Sequence, residues 1–312
     1  MNYGMKIAGT GSYVPPNKVD NESLSKFSNV DPHWVYEKLG IKARHFSNNE
    51  TTSDFALVAA RNALDKARIT PEELGLIIVA TITPDRQTPS TACILHQKLG
   101  LFNTPAFDIA AACSGFLYGL TIGSQFIETG MYKNVLVVGA DRMSSLINFE
   151  ARDACFFGDG AGAVVLTRSE ESSKFRSTLH ADGSGKDVFT VYPDQKYFSM
   201  DAKGVAQIAL DVLPETIHNF LQKNEVPLED INWVIPHQPS KSLLKTLSEK
   251  VGICFTKFKT NMDKYANTSA ATIPLLLDEV AREHKDLKPG DKILFVAIGV
   301  GMTWGCSLYQ WQ

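Results

Sequence analysis

Three features of the sequence predict an α/β fold made of two similar halves. Short apolar runs rich in Val and Ile recur along the chain: "LGLIIVATI", "NVLVVGA", "AGAVVLT", "INWVIP" and "KILFVAIGVG". They are apolar on both faces, as strands buried inside a sheet are. Helical patterns such as "DFALVAARNALDKA" and "VLPETIHNFLQKN" lie between them, and alternation of strands with helices defines the α/β class. The chain also echoes itself. "ARNALDKARITPEELGLIIVA" and "IHNFLQKNEVPLEDINWVIPH" both read helix, short acidic linker, strand, and their offset of 157 residues sets Leu74 on Ile231 and Leu76 on Trp233.

Taken in order, the echo continues. Each of the two matched strands runs into a turn holding a proline and a small hydroxyl residue, "TPST" and "QPSK", and then into another helix. "AAACSGFLYGL" is followed later by "YANTSAATIPLLL", and "NVLVVGAD" by "KILFVAIGVG". The halves are expected to span residues 1–170 and 171–312, joined near residues 168–185. The segment "GKDVFTVYPDQKYFSMDAKG" shows little periodicity and is expected to cover a site or a partner surface.

Composition excludes several functions. A hydrophobic content of 44% supports a large core, and the net charge of −3 leaves neither a basic stripe for nucleic acid nor a polybasic tract for a membrane surface. The start, "MNYGMKIAGTGSYVPP", lacks the long apolar segment of a signal peptide, and no run approaches the ~18 apolar residues of a spanning helix. The five cysteines are odd in number, scattered, and without a C-x-x-C pair, which argues against zinc or a disulfide framework. A reduced cytoplasmic protein is expected, so "NTS" at Asn267 is not read as a glycosylation signal. "GDGAGA" at Gly158–Ala163 leads into a strand and not a helix, so it is read as close strand packing and not as a dinucleotide loop.

Three residues stand out. If Cys113 in "DIAAACSGFLYGL" begins a helix, its sulfur lies near unpaired N–H groups and the positive end of the helix dipole, both of which lower a thiol's pKa. A buried structural cysteine is the competing reading. Of seven histidines, His237 is the one that ends an apolar strand and enters a Pro-Ser turn, at the strand end where open α/β sheets carry their sites. Asn267 lies in the loop before a small-residue helix, at a place comparable to that of Cys113 in the duplication.

In family order, "GTGSYVP", "AAACSGF", "FGDGAGAVVL", "PHQ", "NTSAA" and "TWG" run nearly end to end. On these motifs the chain resembles the class III β-ketoacyl-acyl-carrier-protein synthases of the thiolase superfamily. The resemblance implies a five-layer sandwich of two duplicated α/β halves, usually a homodimer. It makes Cys113 the nucleophile that takes an acyl group from an acyl-CoA primer, and His237 and Asn267 the pair that supports decarboxylation of malonyl-ACP or malonyl-CoA. The acyl-enzyme splits one hard step into two. Donors from His237 Nε2 and the Asn267 amide stabilise the enolate oxygen as charge develops. Backbone N–H groups of Cys113 and Val300 are implied for the tetrahedral oxyanion, where the family more often has glycine at Val300. No metal or other cofactor is implied.

The same resemblance assigns Trp34 to the coenzyme A adenine. Lys38 stands where arginine is usual, supplying charge but no bidentate fork. Arg152 is one residue out of register with the family's second phosphate arginine. Ser240 and Ser242 replace an asparagine and an arginine after His237, with Lys241 as a compensating charge, and Lys203 replaces another pantetheine-binding asparagine. Thr88, in "TPDRQTPST", stands where acetyl-specific members place a phenylalanine from the partner subunit, which implies a longer or bulkier acyl group. The basic residues of "SKSLLKTLSEK" are read as a solvated helix face before a carrier-protein contact. Four other readings are set beside condensation: an acyltransferase delivering the Cys113 acyl group to an alcohol or amine, a thiolase without CO₂ loss, a papain-type hydrolase, and an inactive partner subunit. A thiolase needs a second cysteine inside "AIGVGMTWG", whereas Cys306 follows that turn. A papain-type set needs His paired with the thiol and Asn orienting the His. Inactive partners typically lose the cysteine.

Overall fold

The structure, a computed structural model, describes residues 3–172, 174–192, 194–283 (Glu283 by its backbone alone) and 287–312. Two sheets and six main helices build the frame. In the first half the strands are β1 (Gly4–Tyr13), β2 (Leu76–Ala80), β3 (Ala106–Ile109), β4 (Asn134–Asp141) and β5 (Gly160–Ser169), with helices α1 (Thr52–Ala67), α2 (Thr91–Lys98) and α3 (Gly115–Glu128). In the second half the strands are β6 (Phe175–Ala181), β7 (Ile231–Pro236), β8 (Lys292–Gly299) and β9 (Thr303–Gln310), with helices α4 (Ala202–Lys223), α5 (Lys241–Val251) and α6 (Thr272–Glu283).

The sheet orders are β1-β5-β4-β2-β3 and β6-β9-β8-β7. β4, β2 and β3 run parallel, as do β7 and β8, while β5 and β9 pair antiparallel with both of their neighbours. The two orders therefore match strand for strand, β1 with β6 and β5 with β9. The counterpart of β3 is reduced to a single parallel bridge, Val234 to Phe258.

Period-2 alternation explains the both-faced apolar runs. Ile77, Val79, Leu136 and Val138 point outward under the alanine-rich face of α1 and under α2. Leu76, Ile78, Val135 and Val137 point inward against α3 and α6, which also meet Phe295 and Ala297 of the second sheet. Leu294, Val296 and Ile298 face α4 and α5. The layers are thus helices, sheet, helices, sheet, helices: the five-layer sandwich that the resemblance implied.

The stretch 168–185, where the halves were expected to join, contains β6, which pairs with β9 along its whole length. "FRSTLHA" is an edge strand, largely half-exposed, so it carries no apolar run to betray it.

Candidate active site

Both central helices begin in the same unusual way. A short 3₁₀ turn, Ala112–Ser114, precedes α3, and its counterpart, Ser269–Ala271, precedes α6. Each turn opens on a non-glycine residue in the left-handed region, Ala112 at φ 46° and Ser269 at φ 53°. These two positions are 157 residues apart, the offset of the sequence echo. Conformations of that kind cost energy and persist where a site imposes them. Cys113 follows the first elbow directly. The residue that matches it in the second half is Ala270, and Asn267 lies three positions earlier, so the two halves supply different chemistry from the same scaffold.

Close packing holds the elbows together. Gly299, at the end of β8, lies so near the first elbow that a Cβ built on it would sit 2.5 Å from the Ala111 carbonyl oxygen and 2.9 Å from the Ser114 nitrogen. Gly139 of β4 lies as tightly against the backbone of Ala270. Each sheet thus presents a glycine to the other half's elbow.

His237 follows β7, and its backbone N–H donates to the Val296 carbonyl at 2.7 Å. The next residue pins the turn: Gln238 accepts from the Asn261 and Met262 backbone N–H groups and donates to Asn261 Oδ1. His237 is only 5% exposed, and burial pushes its pKa down to about 3, so the imidazole is neutral at physiological pH. Asn267 is buried and bound through its backbone to Phe156 and Gly158. Its side-chain oxygen accepts the Ser269 N–H at 2.8 Å. Because only the oxygen can accept, the Nδ2 hydrogens are left to point elsewhere.

Cys113, His237 and Asn267 all line one cavity of about 370 Å³. Trp34, Lys38, Lys203, Ser240 and Val300 line it too, and much of the remaining wall is apolar, including Met143, Phe157, Phe189 and Met200. Phe189 stacks on Phe198 at 5.0 Å between ring centroids, and Phe198 packs edge-on to Phe157 at 5.2 Å. Within the weakly periodic segment, Phe189 thus lines the cavity and Phe198 backs it. Val300 sits in the turn between β8 and β9, and its N–H donates to no backbone carbonyl among the described residues. Arg152 does not line the cavity but places its guanidinium 3.9 Å from the Trp34 ring centroid. Lys241 is exposed in the first turn of α5, its stem against Gly40. Thr88 is exposed on the loop after β2 and does not line this chain's cavity.

The thiol differs from the sequence expectation. Burial pushes the Cys113 pKa up to about 12; a hydrogen bond with Ser269 and the residue's own backbone N–H act the other way, and the Asp141 carboxylate reinforces the rise. A helix start thus does not make this thiol a resting thiolate, because desolvation of the partly buried sulfur outweighs it. Ser269 and Asp141 were not picked out from the sequence. The duplication holds the only signal for Ser269, which aligns with the residue before Cys113. Among the described residues no group of three His, Cys, Asp or Glu is placed to hold a metal, and no helix is long and apolar enough to cross a membrane.

A duplicated five-layer fold with a cysteine at the head of one of its central helices, and His and Asn on the same cavity, is that of the thiolase-like acyl-transferring enzymes. The family models for 3-oxoacyl-[acyl-carrier-protein] synthase III and for its C-terminal part match residues 107–183 and 221–311. The chain is 42% identical to β-ketoacyl-[acyl-carrier-protein] synthase III of Clostridium tetani, with 99% of each chain covered. It superposes on the crystal structure of 3-oxoacyl-[acyl-carrier-protein] synthase III from Aquifex aeolicus with a TM-score of 0.95 at 41% identity, covering 99% of this chain and 100% of that one. The priming β-ketosynthase of the R1128 polyketide pathway gives 0.94 at 26% identity, covering 99% and 97%. The chain belongs to the 3-oxoacyl-[acyl-carrier-protein] synthase III family, and it is an acyl-transferring condensing enzyme.

Proposed function

We propose that the enzyme primes from an acyl-CoA and extends by decarboxylative condensation with a malonyl thioester, carried on acyl carrier protein or coenzyme A. Cys113 Sγ attacks the primer thioester. The acyl group moves to sulfur, and the thiol proton leaves with the departing carrier thiol. Malonyl thioester then loses CO₂, and the enolate oxygen that forms is met by the imidazole N–H of His237 and the Nδ2–H of Asn267. A neutral imidazole serves as such a donor without taking a proton. The enolate carbon attacks the acyl carbonyl, and the tetrahedral oxyanion is held by the N–H groups of Cys113 and Val300 until the Cys113 thiolate leaves.

Trp34 stacks on the adenine of coenzyme A, Lys38 and Arg152 neutralise its phosphates, and Lys203, Ser240 and Lys241 contact the pantetheine arm. Thr88 closes the acyl pocket of a partner subunit in a homodimer, its small side chain leaving room for primers longer than acetyl. No metal or organic cofactor enters the cycle, and the enzyme works in the cytoplasm with residues 1–170 and 171–312 as its two halves. The observation that supports this reading best is the arrival of Cys113, His237 and Asn267 on a single cavity from three separate elements, with the Asn267 amide oriented by Ser269.

Intact-protein mass after mixing with acyl-CoAs from acetyl to long-chain and aromatic, and again after adding malonyl carrier protein, tests it. An adduct on Cys113 that disappears only with the malonyl donor, giving a β-keto product, is expected. An adduct that survives the malonyl donor and leaves with an alcohol or amine overturns condensation in favour of acyl transfer.

A further inference from the structure

The two side chains assigned to the enolate come from separate segments, and a buried relay of hydrogen bonds joins those segments. His237 Nδ1 is buried and has no hydrogen-bond partner, so the ring is placed by its backbone at the end of β7 and not by an acceptor behind it. Gln238, the next residue, is buried. Its Oε1 accepts the backbone N–H groups of Asn261 at 2.8 Å and Met262 at 3.0 Å. Backbone N–H groups cannot reverse their role. The Gln238 amide therefore has one orientation, and its Nε2 donates to Asn261 Oδ1 at 3.0 Å. With Oδ1 so engaged, Asn261 Nδ2 turns the other way and donates to Glu279 Oε2 at 3.1 Å. The second carboxylate oxygen, Oε1, accepts from Lys264 Nζ. Asn261 and Glu279 are buried as well, and the relay has a single direction throughout.

Three elements meet in it. Gln238 follows His237 directly. Asn261 heads the short helical turn Met262–Tyr265, where its carbonyl accepts the Lys264 and Tyr265 N–H groups, and that turn leads into Asn267. Glu279 lies on α6, the helix that begins beyond Asn267. We propose that Gln238, Asn261 and Glu279 are positioning residues for the second half-reaction: they fix the spacing of the His237 and Asn267 donors so that both meet one enolate oxygen. The inference rests on those two residues being the enolate donors. None of the three relay residues lines the cavity, so they act only through the donors they hold. Cys113 stands outside the relay. It lies at the head of α3 in the first half, and its elbow packs on Gly299. Breaking the relay therefore slows condensation and spares acyl loading.

The direction of the relay supplies a test that packing alone does not pass. Asn261→Asp keeps the size of the side chain and the acceptor for Gln238, but it sets a carboxylate oxygen against the Glu279 carboxylate. Adding Glu279→Gln in the same chain puts back a donor, so the bond forms again with its direction reversed and the net charge of the parent restored. Loading of Cys113 from an acyl-CoA that the parent accepts, and discharge of that adduct by malonyl carrier protein, are timed separately by intact-protein mass. Asn261→Asp is expected to load within about twofold of the parent rate and to discharge about 10- to 100-fold more slowly, the range that a displacement of about 1 Å produces. The double variant is expected to regain discharge to within about threefold of the parent, as coupled partners do. Where Asn261→Asp melts below the assay temperature, Glu279→Ala, which removes only the far acceptor, takes its place, with discharge slowed about tenfold and loading kept. Discharge at the parent rate in the single variant overturns the proposal. So does a loss in loading as large as the loss in discharge, or a double variant no faster than Asn261→Asp. A parent enzyme that loads but does not discharge with the malonyl donor fails at an earlier point: the condensing mechanism falls, and this inference with it.

Discussion

Replacing Gly299 with alanine should damage the site without touching any reacting group. The Cβ would lie 2.5 Å from the Ala111 carbonyl oxygen, 0.9 Å short of ordinary van der Waals contact at 3.4 Å, and 2.9 Å from the Ser114 nitrogen. Both neighbours are backbone, and they flank Cys113 on either side. Gly299 is not a left-handed glycine, so the effect is steric alone. Overpacking of this size costs about 1–3 kcal/mol, a fall in Tm of roughly 2–10 °C for a chain of this length. If the elbow moves by most of the 0.9 Å, the reacting sulfur is misplaced by an amount that costs up to about 10²-fold in rate. The assay is paired: thermal melting for stability, and condensation rate at saturating primer for the site. Gly183→Ala is the control, because a Cβ there meets nothing within 4 Å. Equal melting and equal rate for Gly299→Ala and Gly183→Ala would refute the claim that β8 holds the elbow by contact.

Cys113→Ala should abolish acyl loading, while His237→Ala and Asn267→Ala should still load but lose condensation, all read by intact mass. The depressed pKa of His237, about 3 in the fold against ~6.5 in the unfolded chain, means the unfolded state binds the extra proton between those limits. Stability should therefore fall as pH drops below about 6.5, by up to ~1.4 kcal/mol per pH unit from this group. His237→Gln should show a shallower fall than the parent protein across that window in pH-dependent melting. Arg152→Ala removes the guanidinium lying over Trp34. It should raise KM for the CoA-borne primer about three- to tenfold and leave kcat nearly unchanged. Phe189→Ala opens the aromatic wall that Phe189, Phe198 and Phe157 share. It should cost about 3–5 kcal/mol of stability and broaden the range of primers accepted in the loading panel.

What the sequence displayed was what repetition and burial write into it. Leu76 to Ala80 is a strand buried on both faces and Ile231 to Pro236 one buried at all but Asn232 and Trp233, so their runs were legible and their 157-residue offset aligned the halves. β6 was not, because only Phe175 of "FRSTLHA" is buried and the rest is largely polar and half-exposed. The cavity's three chemical residues were visible because each interrupts an apolar context. Ser269 was invisible as a functional group: a serine in a small-residue turn looks like packing, and only the left-handed φ shared with Ala112 and the sulfur 3.6 Å away mark it otherwise. The thiol's pKa was misjudged for a related reason. A helix start is local and can be read from spacing, but the side chains that desolvate the sulfur across the cavity, such as Met143 and His237, and the Asp141 carboxylate come from 28 or more residues away.

The duplication also explains why this fold can hold an asymmetric site. Two copies of one elbow meet where the central helices begin, and each is clamped by a glycine of the opposite sheet. Backbone geometry is thereby set twice over, and side chains at matched positions are free to diverge. On one side the left-handed residue is Ala112 and the next is Cys113. On the other it is Ser269 and the next is Ala270. The serine hydroxyl and the cysteine sulfur therefore approach each other across the pseudo-symmetric junction because the elbows do. Asp141 lies at the end of the strand whose Gly139 clamps the second elbow, and it accepts the Ala270 N–H. One carboxylate thus fixes the backbone directly after Ser269, the residue that touches the nucleophile. A change at Asp141 should consequently be felt at Cys113 before it is felt elsewhere in the core.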